Sequence, residues 1–319
     1  MKKIIVIGAG GQIGSELVPF LRNIYGSANV VAADLDIKKC ARLGEDGPLE
    51  ELNALDKNRF IEVVRKYKSD TIFNMVALLS ATGEKNPELA WDINIGALTN
   101  SLNIGRDNGC AVFTPSSIGA FGVDTPKDHT PQDTLQRANT TIYGVCKVTG
   151  ELLSDYYFHR FGMDTRSVRF PGLISYVTLP GGGTTDYAVD IYYEAVRKGA
   201  FTCNIKAGTY MDMMYMPDAL NAVVKLMEAD PAKLVHRNSF NIASMSFEPE
   251  QIAAEIRKHL PDFKMAYDVD PVKQAIADSW PNSMDDSCAR MEWGWIPAYN
   301  LETMTTDMLA KVKEKLNND

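Results

Sequence analysis

The 319-residue chain is poor in the features that would settle a function class at a glance. It has five cysteines, Cys40, Cys110, Cys146, Cys203 and Cys288, odd in number and with no CxxC pair, which excludes a disulfide framework. Such thiols suit a reducing, cytoplasmic compartment. The four histidines, His129, His159, His236 and His259, are dispersed, and there is neither an HExxH motif nor a local Cys/His cluster, so no metal is expected. Long apolar runs are missing. Ile4 to Ile7 follows Met1-Lys2-Lys3 but stops at Gly8-Ala9-Gly10-Gly11, too short for a leader or a membrane span, so neither is expected. Positive charge is in deficit, with 33 Lys and Arg against 41 Asp and Glu and a net charge of −8, and the basic residues form no stripe. A nucleic acid or an anionic membrane is therefore not an expected partner. No internal repeat or low-complexity tract is present.

What the chain does have is a core-forming composition, 45% hydrophobic, and a regular alternation in its first half. Short β-branched runs at 3–7, 29–33, 71–76, 111–115 and 164–169 read as strands. The intervening stretches 12–24, 57–66, 87–107 and 142–160 carry apolar residues at helical spacing. Such alternation predicts an α/β fold with a doubly wound parallel sheet. After Arg169 the pattern breaks. Residues 171–183 are rich in Pro and Gly and read as loop, and 186–198, 218–228, 247–259 and 301–316 read as helices. The expected division is a dinucleotide-binding Rossmann domain over 1–170. Residues 171–319 form mainly a smaller substrate-binding lobe, with some segments returning to the first sheet.

The first strand runs into Gly8-Ala9-Gly10-Gly11-Gln12-Ile13-Gly14. Glycine at 8, 11 and 14 lets the chain turn tightly, lets the backbone approach a pyrophosphate, and lets the following helix pack close to the sheet. The helix N-terminus supplies N–H groups and a positive dipole end to phosphate. Asp34 lies twenty positions past Gly14, at the end of the second strand. A carboxylate there accepts hydrogen bonds from adenosine ribose hydroxyls and repels a 2′-phosphate, which favours NAD over NADP. Asp36 is the alternative for that role.

Tyr143 and Lys147 stand four apart on an expected helix and so share a face. A free phenol has a pKa of about 10. A neighbouring ammonium favours the phenolate, so the pair can take a hydroxyl proton while hydride leaves the same carbon. Upstream, Thr114-Pro115-Ser116-Ser117-Ile118-Gly119 places hydroxyls at the carboxyl edge of a strand, where sheets of this kind present their chemistry. Ser117 is the first choice for a hydroxyl that binds the substrate oxygen. Ser116 is the alternative, and either can serve only to shape the turn.

Glycine loop, strand-end acid, strand-end serine and YxxxK in this order resemble the extended short-chain dehydrogenase/reductase superfamily from about residue 3 to about residue 300. Within it the chain is similar to the short-chain L-threonine 3-dehydrogenases. The resemblance rests on Arg169-Phe170-Pro171-Gly172-Leu173-Ile174-Ser175, on the run from Pro180 to Asp190, on Leu78-Leu79-Ser80-Ala81 with Glu84-Lys85-Asn86-Pro87, on Met213-Met214-Tyr215-Met216 and on Asp278-Ser279-Trp280-Pro281. It implies an NAD-dependent oxidation of the 3-hydroxyl of L-threonine to 2-amino-3-oxobutyrate. Tyr143 would be the base, assisted by Lys147 and Ser117. Cofactor contacts implied are Gly8, Gly11, Gln12, Ile13, Gly14 and Asp34. Leu55 and Asp56 would flank the adenine, Leu78 would line the adenine-ribose side, and Asn94 is a structural or cofactor-side polar group. Pro171 and Leu173 would lie beside the nicotinamide, with Tyr143 and Lys147. Substrate contacts implied are Ser80, Ser117, Tyr143, Thr184, Thr185, Asp186 and Trp280. Asp186 is equally suited to capping the next helix, and Trp280 to plain core burial. The resemblance also implies a homodimer built through the helices at 87–107 and 142–160. A sugar-nucleotide epimerase or dehydratase on the same fold is the competing reading. Against a dehydratase, Ser117 is followed by Ile118-Gly119 and not by an Asp-Glu pair. A non-catalytic NAD-binding regulator is disfavoured by the intact Tyr143 and Lys147.

Overall fold

A computed structural model describes residues 1–138, 140–179 and 181–318. Its main sheet has six parallel strands in the spatial order Leu49–Glu51, Val30–Asp34, Ile4–Ile7, Thr71–Asn74, Ala111–Phe113, Thr165–Arg166. The order reverses between the first and fourth of these in sequence, and the crevice at that reversal is where a doubly wound sheet binds its ligand. All four residues of Ile4–Ile7 are buried, as an apolar strand covered on both faces must be. Ala111–Phe113 and Thr165–Arg166 are each extended, after a short break, by Ser116–Ser117 and Val168–Phe170, which pair with one another. Phe240–Asn241 then adds in parallel to Val168–Phe170, which makes a separate three-stranded sheet with Ser116–Ser117.

The second lobe has its own small sheet, in which Met211–Tyr215 runs parallel to Gly172–Ile174 and antiparallel to Met245–Phe247. Ala200–Cys203 and Lys264–Tyr267 pair separately. A core of buried aromatics, Tyr187, Tyr192, Tyr215 and Phe247 among them, joins these strands to the helices Tyr187–Lys198, Pro249–His259 and Leu301–Asn318. The stretch 171–183, expected to be loop throughout, therefore contains a strand; Pro180 within it lies outside the described residues. Phe247, expected to open a helix, ends a strand, and the helix begins at Pro249, where Glu248 and Gln251 form a capping box. Among the described residues no helix is long and apolar enough to cross a membrane.

Candidate active site

The helix Gln12–Tyr25 starts immediately after the glycine turn. A Cβ at Gly14 would stand 2.3 Å from the Gly8 carbonyl oxygen, so only glycine lets this helix lie against the strand it leaves. The turn forms one wall of an open groove of about 1060 Å³, lined also by Asp34, Leu35, Lys39, Leu52, Asn53, Ala54, Leu55 and Met75 to Ala77. Asp34 is fixed at the end of Val30–Asp34 by its own carboxylate. One oxygen accepts from Gly10 N–H at 2.8 Å and the other from Asp36 N–H at 3.0 Å. Asp36 is not among the lining residues; it accepts from Lys38 N–H at 3.1 Å and caps the short turn Ile37–Cys40. Asp56 is also outside the lining. It caps the helix Lys57–Tyr67 through Arg59 N–H at 3.1 Å.

Met75 and Ala77 also line a second, adjoining cleft of about 810 Å³, so the two form one trough along the carboxyl edge of the sheet. Gln12 and Ile13 reach into the second cleft from the helix start, and the Nε2 of Gln12 is buried without a protein partner. Opposite them are Pro171 and Leu173, at and just past the end of Val168–Phe170. Leu78 lines neither cleft. Its N–H donates to the Asn94 side chain at 2.7 Å, and Asn94 Nδ2 donates back to its carbonyl at 3.2 Å. Asn94 thereby holds the segment beyond Thr71–Asn74 in place of a sheet neighbour.

Tyr143 enters from the first turn of the helix Ile142–Phe161. Thr141 caps this helix by accepting from Gly144 N–H at 3.0 Å. A Cβ at Gly144 would come 2.6 Å from the Gly119 carbonyl, so glycine is what lets the helix start press onto the segment following Ser117. The Tyr143 ring is 8% exposed and lies over Gly119. Lys147 sits one turn on, its Nζ 5.2 Å from the Tyr143 ring centroid and donating to the Pro115 carbonyl at 2.7 Å. Ser117 lines the cleft and accepts from Gly119 N–H at 3.1 Å, which leaves its own proton free to donate. Ser116 differs. Its hydroxyl donates to Glu151, which also holds Arg169 through an ion pair of 2.8 Å in the protein interior.

The far wall combines Ser80, from the short helix Ser80–Gly83, with residues beyond Gly183. Ser80 and Thr184 are buried with hydroxyl oxygens 3.5 Å apart, and Thr185, Asp186 and Trp280 line the cleft beside them. Asp186 directly precedes the helix Tyr187–Lys198 yet makes no capping hydrogen bond with its side chain. One of its carboxylate oxygens instead accepts from Gly182 and Gly183 N–H at 2.9 and 2.7 Å, tying down the glycine turn. Burial lifts its carboxyl to about 6, against the opposing pull of those two N–H groups. Trp280 is both core and wall, packed among the buried residues of the second lobe with one edge on the cleft. Among the lining residues, Lys147 carries the one positive charge and Asp186 the one negative charge.

Residues 4–243 match the model of the NAD dependent epimerase/dehydratase family. The chain belongs to that family. It is an NAD-dependent oxidoreductase, and NAD is its cofactor. A relative from Staphylococcus aureus strain MRSA252, an uncharacterized epimerase/dehydratase, is 57% identical over 99% of this chain and 98% of its own. Among solved structures, the chain is similar to an L-threonine dehydrogenase from Clostridium difficile, with 58% identity, TM-score 0.96, and 99% and 98% of the two chains covered. A GalE-like L-threonine dehydrogenase from Cupriavidus necator in its holo form gives 47% identity and a TM-score of 0.93, over 98% of this chain and 100% of that one.

The trough suits the family's dinucleotide on its own evidence. It offers a close-packed glycine turn, an unpartnered buried amide on Gln12, and a braced carboxylate at the far end. Sequence motifs point to most of this but not to Leu35, Lys39, Leu52, Asn53, Ala54 or Met75 to Ala77. Their signal was position alone, since each follows the carboxyl end of a strand or lies in the loop beyond one.

Proposed function

We propose that the chain oxidises the 3-hydroxyl of L-threonine to 2-amino-3-oxobutyrate. The observation that carries this reading is the balance of the cleft around Tyr143, with the Asp186 carboxylate for an ammonium and the Ser80, Thr184 and Thr185 hydroxyls for a carboxylate, among apolar groups. A zwitterionic amino acid fits that balance. A sugar nucleotide, the alternative, brings a second diphosphate, and this cleft is lined by no arginine and by no cation besides Lys147. The similarity to L-threonine dehydrogenases over the whole chain points the same way.

The assigned roles follow from placement. NAD would lie along the trough, held by the Gly8 to Gly14 turn with Gln12 and Ile13, by Asp34 at the adenosine ribose and by Leu55 beside the adenine. Asp56 and Asn94 act one layer back, through the helix cap and the Leu78 backbone. Pro171 and Leu173, with Tyr143 and Lys147, would bound the nicotinamide. When bound, NAD would supply the acceptor for the hydride that leaves the substrate carbon. Tyr143 takes the hydroxyl proton at its phenolic oxygen, with the Lys147 ammonium one turn along the same helix. Ser117 donates its free proton to the substrate oxygen and fixes its direction. Asp186 binds the substrate ammonium, Thr184, Thr185 and Ser80 supply hydroxyls to its carboxylate, and Trp280 closes the pocket.

On this reading residues 1–170 carry the cofactor and 171–319 mainly the substrate. We place the protein in the cytoplasm, in keeping with its five free cysteines. A homodimer would bury the exposed Trp91 of helix Pro87–Asn108 and Leu152, Tyr156 and Phe161 of helix Ile142–Phe161. Sedimentation velocity reads that state directly, and a monomer at micromolar concentration would exclude it. The reaction itself is tested by NADH formation from L-threonine, with UDP-sugars as the competing substrates.

A further inference from the structure

The histidines and cysteines are scattered in sequence, yet the fold gathers three metal-ligating side chains at one place. His236, Cys288 and Glu292 present ligand atoms that all lie within 4.8 Å of one another, and each is partly exposed. Among the described residues this is the one such group. Cys288 and Glu292 are four apart on the helix Ser287–Trp293, so they share a face. His236 comes from the loop before Phe240–Asn241.

The surrounding bonds decide which atoms are free to bind. Glu292 Oε2 accepts from Val235 and His236 N–H at 2.6 and 3.1 Å, which fixes the carboxylate against the loop. Its Oε1 is turned to His236 Nδ1. On the far side of the ring, His236 Nε2 is 3.1 Å from Asp133 Oδ2. His236 thus faces a carboxylate at each ring nitrogen, and a bound metal would replace the Nδ1–H···Oε1 bond while Nε2–H stays donated to Asp133. A histidine oriented by a carboxylate through its second nitrogen is the usual support of a metal ligand. A nitrogen, a sulfur and a carboxylate oxygen form a donor set suited to a borderline-soft divalent ion in tetrahedral coordination, with water as the fourth ligand.

We propose that His236 Nδ1, Cys288 Sγ and Glu292 Oε1 form a zinc site, with Asp133 orienting the imidazole. None of the four residues lines the cleft that holds Tyr143, so the site stands apart from that cleft. It ties the 235–236 loop to a helix whose Trp293 packs on Phe240, in the strand paired with Val168–Phe170. Binding displaces the Cys288 thiol proton, and any proton on Nδ1, to solvent.

The test uses the full-length untagged chain, stripped with a chelator and dialysed. Zinc titrated against a chromophoric indicator is expected to bind one per chain and to raise the melting temperature. Cobalt(II) in its place is expected to show a thiolate-to-metal charge-transfer band. Cys288→Ser keeps every bond that Glu292 makes to the loop backbone, so it should fold as before, lose the band and lose the zinc-dependent rise in melting temperature. Asp133→Asn should weaken zinc binding roughly tenfold. Absence of stoichiometric zinc binding overturns the proposal, as does a site whose affinity and cobalt spectrum are the same in Cys288→Ser.

Discussion

Ser116 and Ser117 are neighbours in the chain, but their hydroxyls are committed to different tasks. Ser116 donates to Glu151 inside the protein, while Ser117 accepts from Gly119 N–H at 3.1 Å and keeps its proton for the cleft. Their alanine variants should therefore separate. Ser117→Ala should lower kcat by at least tenfold with little change in melting temperature. Ser116→Ala removes a hydrogen bond to a buried, charged carboxylate, a loss of roughly 1.5–3 kcal/mol in stability, and should spare kcat in the protein that remains folded. Paired kinetics and thermal unfolding read both, and the reverse pattern would transfer the catalytic role to Ser116.

Tyr143→Phe removes the group assigned as base while leaving the ring over Gly119. Turnover should fall by roughly 10²–10⁴-fold or more. NAD binding, followed by calorimetry, should change little. Substantial remaining activity would remove Tyr143 from the proton transfer.

Asp34 is braced by Gly10 and Asp36 N–H groups, so its position does not depend on a bound ligand. Asp34→Ser should raise the KM for NAD roughly tenfold, about 1.4 kcal/mol, and should narrow the preference for NAD over NADP. Unchanged cofactor preference would move the ribose contact elsewhere.

The carboxyl of Asp186 is raised by burial to about 6, so its anion is present above that pH and is lost as pH falls through it. An ammonium partner is lost with it. The KM for L-threonine should therefore climb below about pH 6 while kcat is less affected. Asp186→Asn should raise KM at neutral pH by tenfold or more and flatten that acid limb. A variant with the wild-type profile would leave Asp186 only its bonds to Gly182 and Gly183.

The Rossmann half was legible because its signals are redundant. Ile4–Ile7 is apolar throughout and leads through a glycine turn into the helix Gln12–Tyr25. Leu49–Glu51 was not legible. It is a three-residue edge strand with two glutamates, held by pairing to Val30–Asp34 and not by its own composition. The second lobe was read worse for the same reason. Gly172–Ile174 and Met245–Phe247 are three residues each, too short to show a period, and exist because Met211–Tyr215 lies between them. In the site, Tyr143, Lys147 and Ser117 could be found from spacing, since one helix and one strand end bring them together. The choice between Ser117 and Ser116 could not, because it depends on Glu151 and Arg169, which are distant in sequence.

The most direct test of the account is the rate of NADH formation with NAD and L-threonine, compared with L-serine, D-threonine, L-allo-threonine and UDP-sugars. The account predicts stereoselective reduction of NAD by L-threonine and none with the UDP-sugars. No reduction by L-threonine in a protein that still binds NAD, or turnover of a UDP-sugar in its place, would contradict it.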